Sequence, residues 1–153
     1  IFTQSNADPA GRSISEVFGA YANRNPRRCI FVNSLGQLKY FSALKHIDAL
    51  IGNSSSGLIE MPYFRKPTVN IGSRQDGRIK PKSVIDCETK ASAIAGAVTK
   101  SCSAEFLGGL SKMQSPYGKP GASLRVKKIL KSTSLKDILN KKFHDIRSQD
   151  NTK

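Results

Sequence analysis

Short apolar runs alternate with longer stretches of helical spacing along this chain of 153 residues. Ile1-Phe2-Thr3 opens as a strand. From Arg12 to Ala22, Ile14, Val17, Phe18 and Tyr21 recur at three- and four-residue intervals, the signature of an amphipathic helix. Asn25-Pro26 ends it, since proline lacks the amide proton a helix needs. Cys29–Asn33 reads as a strand, and Leu35–His46 as a helix with Leu38, Phe41 and Leu44 on one face. Ala49–Gly52 is a continuous apolar strand of the kind buried in a parallel sheet.

After a serine-rich turn, a short helix is expected from about Gly57 to Phe64, then a strand at Pro67–Gly72 and another at Ser83–Cys87. The Ala-rich segment Glu88–Cys102 reads as a helix, as do Ala122–Lys131 and Leu135–Phe143. Strand, helix, strand and helix joined by short connections predict right-handed βαβ units, hence an α/β, Rossmann-like doubly wound parallel sheet. The domain is expected over residues 1–145, with a polar tail at 146–153.

In such sheets ligands bind outside the carboxyl ends of the strands. The stretch GNSSSGLIE, from Gly52 to Glu60, follows the carboxyl end of a predicted strand directly. The first turn of the following helix leaves backbone N–H groups unpaired, Ser54, Ser55 and Ser56 add hydroxyl donors, and the flanking glycines permit close approach, so a phosphate or pyrophosphate fits. Alternatively, one serine simply caps the helix. Glu60 would repel a phosphate but could accept from two ribose hydroxyls; otherwise it is an acid favoured by the helix dipole. Arg74 follows the next strand, where a guanidinium can pair with phosphate, whereas Arg78 and Lys80 read as solvated. A nucleoside diphosphate meets all of these requirements.

The formal net charge of +14 suggests an anionic partner, yet the cations are scattered and many fall after Lys112. Aromatics make up 7% with no tryptophan and no basic–aromatic interleaving, so nucleic acid is not expected as a partner. No apolar run reaches the roughly 18 residues of a membrane span, so no membrane association is expected. The opening IFTQSNADPAGR lacks a basic stretch followed by an apolar one, so no signal peptide is expected and the location is expected to be cytoplasmic. The chain starts on a strand without an initiating methionine, as an excised domain would. Cys29, Cys87 and Cys102 are widely spaced and read as reduced thiols, with neither a disulfide framework nor a zinc site. No metal and no cofactor are expected.

GNSSSGLIE, PTVNIGSRQDGR and SVIDC, with FTQSNAD, SLGQLKYFSALKHIDALIGNSSSG and YGKPGASLRVKKIL in the same order, resemble the C-terminal domain of hydrolysing UDP-N-acetylglucosamine 2-epimerases, to about Leu130. The related non-hydrolysing epimerases typically carry an Asp-Ser-Gly-Gly type turn where this chain has Asn-Ser-Ser-Ser-Gly. The resemblance implies a glycosyltransferase-B type architecture of two Rossmann-like domains with the active site between them. It also implies conversion of UDP-N-acetylglucosamine to N-acetylmannosamine and UDP, by elimination and hydration, for sialic or related nonulosonic acid synthesis. Some close relatives act on a UDP-linked diacetamido sugar. The family's UDP contacts fall on Asn6, the region of Leu35, Ser54, Ser55, Glu60 and Arg74, with Leu35 offering its backbone to the uracil.

The family's N-terminal half, which supplies most of the catalytic acids and a histidine, has no counterpart here. No catalytic residue is therefore expected in this chain, the fragment alone is expected to be inactive, and the full-length enzyme is expected to be a homo-oligomer. His46 reads as a helix residue that caps or packs, and His144 lies in a polar segment. Asp8, Asp48, Asp76 and Asp86 lack an evident partner for acid–base work, Asp8 being nearest the predicted cleft. Two other readings are open: a nucleotide-sugar glycosyltransferase domain with the same fold, and a non-enzymatic basic module that binds polyanions through its lysine-rich C-terminal part.

Overall fold

A computed structural model describes residues 1–5, 11–136 and 139, arranged as two compact units, Ile1–Tyr117 and Gly118–Lys153. The first unit carries every strand among the described residues. Its elements run β1 (Phe2–Thr3), α1 (Gly11–Arg24), β2 (Phe31–Val32), α2 (Gly36–His46), β3 (Leu50–Gly52) and α3 (Ser56–Ile59), followed by a 3-10 turn (Met61–Phe64). The series continues with β4 (Thr68–Ile71), β5 (Val84–Cys87), α4 (Ala91–Ser101) and α5 (Ala104–Leu110).

All strand pairs among the described residues are parallel, as the alternation of strands and helices predicts. Their ladders form two groups, β1 with β2 and β3-β4-β5 in sequence order. The registers place Leu50 against Thr68, Gly52 against Asn70 and Asn70 against Asp86. The result is an α/β, Rossmann-like fold.

Thr68, Val69 and Asn70 are successive residues of β4, and all three are buried. Because side chains alternate across a strand, both faces of β4 must be covered. The Thr68 face meets α3: Gly57 is the point of closest approach, and the Thr68 hydroxyl donates to the Gly57 carbonyl at 2.9 Å. Helix α4 packs along β4 and β5. Leu44, Leu58, Met61 and Val69 form the most deeply buried apolar set of the unit. Cutting Leu58 back to alanine would cost about 2–5 kcal/mol through lost burial and an unfilled cavity.

Several expectations need correction. Of the predicted apolar face of α2, Leu44 is buried but Leu38 is 83% exposed. On α1, Ile14, Val17 and Tyr21 are exposed, while Phe18 turns inward and stacks on Phe2 with ring centroids 4.7 Å apart. Helical spacing reports a shared face, but two-residue strands offer too little surface to cover all of it. Ile51 in β3 is also 52% exposed, although its strand reads as fully apolar.

The segment after Cys102 holds α5, which the periodicity reading leaves out. Its Gly108-Gly109 pair masks the helical signal, but Ser103 caps it by accepting from the Phe106 N–H at 3.2 Å. The helix expected at Leu135–Phe143 and the tail at 146–153 lie outside the described residues, apart from Leu135, Lys136 and Leu139.

The connection from β4 to β5 is a parallel crossover without a helix. It spans residues 72–83 and is pinned at three places. The Gln75 side chain donates to the Asn53 carbonyl at 2.6 Å, Lys80 reaches Asp76 and Asp86, and the Tyr117 hydroxyl donates to the Ile79 carbonyl at 2.7 Å.

The second unit is built around α6 (Ala122–Ser132), which follows Gly121 in the left-handed conformation, φ +89°. The Arg125 guanidinium donates to the carbonyls of Pro120 and Lys119, fixing the entry to the helix.

Candidate functional site

The serine turn joins β3 to α3. Gly52 ends the strand with φ +149°, a backbone angle that favours glycine, and open space surrounds the position of its missing Cβ. From Gly57 onward the amides are satisfied locally: Gly57 N–H donates to the Ser54 carbonyl, those of Leu58 and Ile59 to Ser55, and that of Glu60 to Ser56. Among the described residues the Ser54 and Ser55 N–H groups have no acceptor. The Ser56 N–H reaches the Ser54 hydroxyl at 3.3 Å, a long bond that gives the capping reading part of its due. The side chain of Ser55, the N-cap residue of α3, makes no capping hydrogen bond among the described residues.

Ser54 is exposed and Ser55 half-buried. Two backbone donors and two hydroxyls therefore stand available at the carboxyl end of a parallel strand, which suits an oxyanion. The two glycines of the turn have different roles. Gly52 leaves room in front of the turn, whereas Gly57 lets α3 sit down on β4, since a Cβ there would meet the Thr68 methyl at 2.4 Å.

Glu60 lies four residues after Ser56, so the two share a face of the helical turn. One of its carboxylate oxygens, Oε2, is buried without a hydrogen-bond partner among the described residues. A carboxylate oxygen left in that state is costly, and a ligand bearing hydroxyl donors would relieve it.

A second surface faces the same region. At the carboxyl ends of β1 and β2, a pocket of about 460 Å³ is lined by Gln4, Ser5, Asn33, Leu35, Gln37 and Tyr40, among others. Leu35 is half-buried at the entry to α2, where its backbone is helical. Tyr40, one turn into α2, forms a hydrogen bond with the Ser56 hydroxyl and so ties this pocket to the serine turn. Burial raises its phenol from the ordinary value; the Ser56 bond works against this and the Glu60 carboxylate adds to it. The phenol is thus protonated at neutral pH and can donate.

Arg74 is exposed in the crossover loop, and its neighbour Gln75 is 2% exposed. Gln75 binds the Asn53 carbonyl at the start of the serine turn, so the arginine loop and the serine turn are held together. Its other side-chain atom, Oε1, is buried without a partner among the described residues.

Of the residues expected from the sequence, Ser54, Ser55 and Glu60 lie on one turn, Leu35 lines the adjoining pocket, and Arg74 sits on a loop tied to that turn. Asn6 and Asp8 lie outside the described residues. Tyr40 and Gln75 were not foreseen. Tyr40 stands in a helical pattern where an aromatic reads as core, and only the position of α3 reveals its partner. Gln75 is the lone carboxamide in a loop rich in charged residues, a faint signal that could have drawn attention.

Lys80 is not merely solvated. Hydrogen bonds to Asp86 and then Asp76 raise its ammonium group above the ordinary value, although burial opposes this. Burial pushes Asp86 up, but the Asn70 amide at 2.7 Å and the Lys80 ammonium outweigh it and leave the carboxyl below its usual range. Asp76 and Asp86 therefore have a partner, and it is a structural one that closes the loop. Cys87 is raised by burial and by Asp86, so its thiol stays protonated and is poorly suited to nucleophilic work. Among the described residues no group of three or more histidine, cysteine or acidic side chains is placed to hold a metal ion, and no helix is long and apolar enough to cross a membrane.

A parallel α/β unit with an unsatisfied serine turn at a strand's carboxyl end belongs to the broad class of Rossmann-like domains. Comparison with known proteins narrows the class. Residues 1–131 match the family model described as UDP-N-acetylglucosamine 2-epimerase, and the chain belongs to that family. It is 39% identical over 147 residues to a protein of Campylobacter jejuni named GDP/UDP-N,N'-diacetylbacillosamine 2-epimerase (hydrolyzing), covering 95% of this chain and 38% of that protein. It is 34% identical to the polysialic acid biosynthesis protein P7 of Escherichia coli, over 95% of this chain and 37% of that protein. A UDP-N,N'-diacetylbacillosamine 2-epimerase (hydrolyzing) of Legionella pneumophila is 32% identical, over 92% and 36% respectively. The chain thus spans little more than a third of the length of these relatives.

Proposed function

We propose that this chain is the UDP-binding C-terminal part of a cytoplasmic, hydrolysing UDP-sugar 2-epimerase. One observation carries the reading: unpaired donors and an unpaired acceptor stand on a single turn. The Ser54 and Ser55 amides and hydroxyls offer donors to a diphosphate, while the buried Glu60 oxygen lacks the hydroxyl donors a ribose would bring. Arg74, on the loop that Gln75 ties to the turn, adds positive charge for the phosphates. The carboxamides of Gln4, Asn33 and Gln37 in the pocket beside Leu35 suit a base edge that both donates and accepts. Asn6 belongs to this proposed set through the family resemblance alone.

Binding energy held on the nucleotide would orient the sugar for elimination and hydration carried out mainly by groups outside this chain. The chain alone is expected to turn over neither UDP-N-acetylglucosamine nor a UDP-diacetamido sugar. Of these two substrates the second has a specific argument in its favour, because the names of the Campylobacter and Legionella relatives specify a diacetamido sugar. With N-acetylglucosamine as the sugar, the product would be N-acetylmannosamine for sialic acid synthesis.

Calorimetric titration with UDP tests the reading. The chain should bind UDP, and Ser54→Ala/Ser55→Ala together should weaken binding by about tenfold or more, the worth of one to two charge-assisted hydrogen bonds. Unchanged affinity in the double variant would remove the serine turn from the site.

A further inference from the structure

Tyr40 stands between the two surfaces just described. It lines the pocket at the ends of β1 and β2, and it bonds to Ser56 at the start of α3, on the other strand group. We propose that Tyr40 is a positioning residue of the nucleotide site: its hydroxyl donates to the Ser56 oxygen and leaves the Ser56 proton directed at the diphosphate. This inference rests on the UDP reading above and extends it to two residues, Tyr40 and Ser56, outside the expected contact set.

The direction of the bond follows from chemistry. A phenol is a far better hydrogen-bond donor than an aliphatic alcohol, so when the two pair, the phenol gives its proton and the serine oxygen accepts. Ser56 then has one proton left to donate. Glu60 Oε2, one turn further along the same face, is buried without a partner, so the Ser56 proton is not spent on that oxygen.

The bond also sets the distance between pocket and turn. Among the described residues the ladders β1-β2 and β3-β4-β5 share no pairing, so a contact between the helices that follow β2 and β3 acts as a tie between the two groups. Tyr40 to Ser56 is such a tie, located where a nucleotide lying across both surfaces would pass.

The test is a double-mutant cycle on this chain with Tyr40→Phe, Ser56→Ala and the pair, each titrated with UDP and with uridine. Tyr40→Phe keeps the ring and so its packing, and thermal unfolding checks that each variant is folded. Tyr40→Phe and Ser56→Ala are each expected to weaken UDP binding about five- to tenfold, the loss of one oriented hydrogen bond. The pair should be no weaker than Ser56→Ala alone, and uridine should bind all four proteins equally. Losses that multiply in the pair, equal losses for uridine and UDP, or wild-type UDP affinity in Tyr40→Phe would each overturn the inference while leaving the UDP reading standing. Absence of UDP binding by the unaltered chain would strike the UDP reading itself, and this inference with it.

Discussion

Replacing Gly57 by alanine tests the packing that fixes the serine turn. A Cβ at this position would lie 2.4 Å from the Thr68 methyl, 3.2 Å from its hydroxyl oxygen and 3.3 Å from its Cβ. Thr68 is 1% exposed in the central strand of its sheet, so it has nowhere to go. Either α3 lifts away from β4 or Thr68 leaves its rotamer, and in both cases its hydrogen bond to the Gly57 carbonyl is stretched or lost. Overpacking of this kind costs about 1–3 kcal/mol, and the lost bond to a buried carbonyl adds about 1 kcal/mol. A total of about 2–4 kcal/mol should lower the melting temperature by roughly 6–15 °C in a unit of this size. Circular dichroism on heating, or urea titration with an unchanged slope, reads the change directly. Thr68→Ser removes the offending methyl and keeps the hydroxyl, so the Gly57→Ala/Thr68→Ser pair should recover a large part of the loss. Wild-type stability for Gly57→Ala alone would refute the argument, because it would mean that α3 is not held against β4 at this point.

Other consequences can be measured separately. Glu60→Gln replaces a buried, partnerless carboxylate oxygen by a neutral amide, so it should weaken UDP binding about tenfold while leaving the fold as stable as before or more so; equal UDP affinity would take Glu60 out of the site. Asp86 has its carboxyl lowered in the folded chain, so its contribution is present above the unfolded carboxylate pKa and is lost as pH falls through the folded value. Lys80, raised in the folded chain, contributes below the unfolded lysine pKa and loses that contribution as pH rises through its folded value. The melting-temperature gap between the wild type and Asp86→Asn should therefore be widest around neutral pH and close on acidification; a gap independent of pH would contradict this. Ser103→Ala removes the cap of α5 and should cost about 1 kcal/mol, read from the urea midpoint.

Much of the fold is legible because it depends on local patterns. Apolar runs of strand length separated by helical spacing place β3, β4, β5, α1 and α2 within a few residues of their observed bounds, and Asn25-Pro26 marks the end of α1 correctly. Helix α5 escapes this reading, since its Gly108-Gly109 pair weakens a seven-residue signal that depends on a single serine cap. Burial is less legible than secondary structure. Leu38 and Leu44 carry the same side chain on the same predicted face, yet one is 83% exposed and the other buried. Which of them meets a neighbouring element depends on where α3 and the 3-10 turn settle, and residues far along the chain decide that.

The candidate site divides in the same way. Chain chemistry alone singles out the serine turn, the acid one helical turn later and the arginine after the next strand as candidates, because all three are read from residue type and from position relative to a strand's end. Packing of the folded chain was needed to show that Gly57 serves β4 more than any ligand, that Gln75 binds the turn from 22 residues away, and that Tyr40 meets Ser56 across 16. These are contacts between segments remote in sequence, and a linear pattern records only which groups are available, never which of them meet.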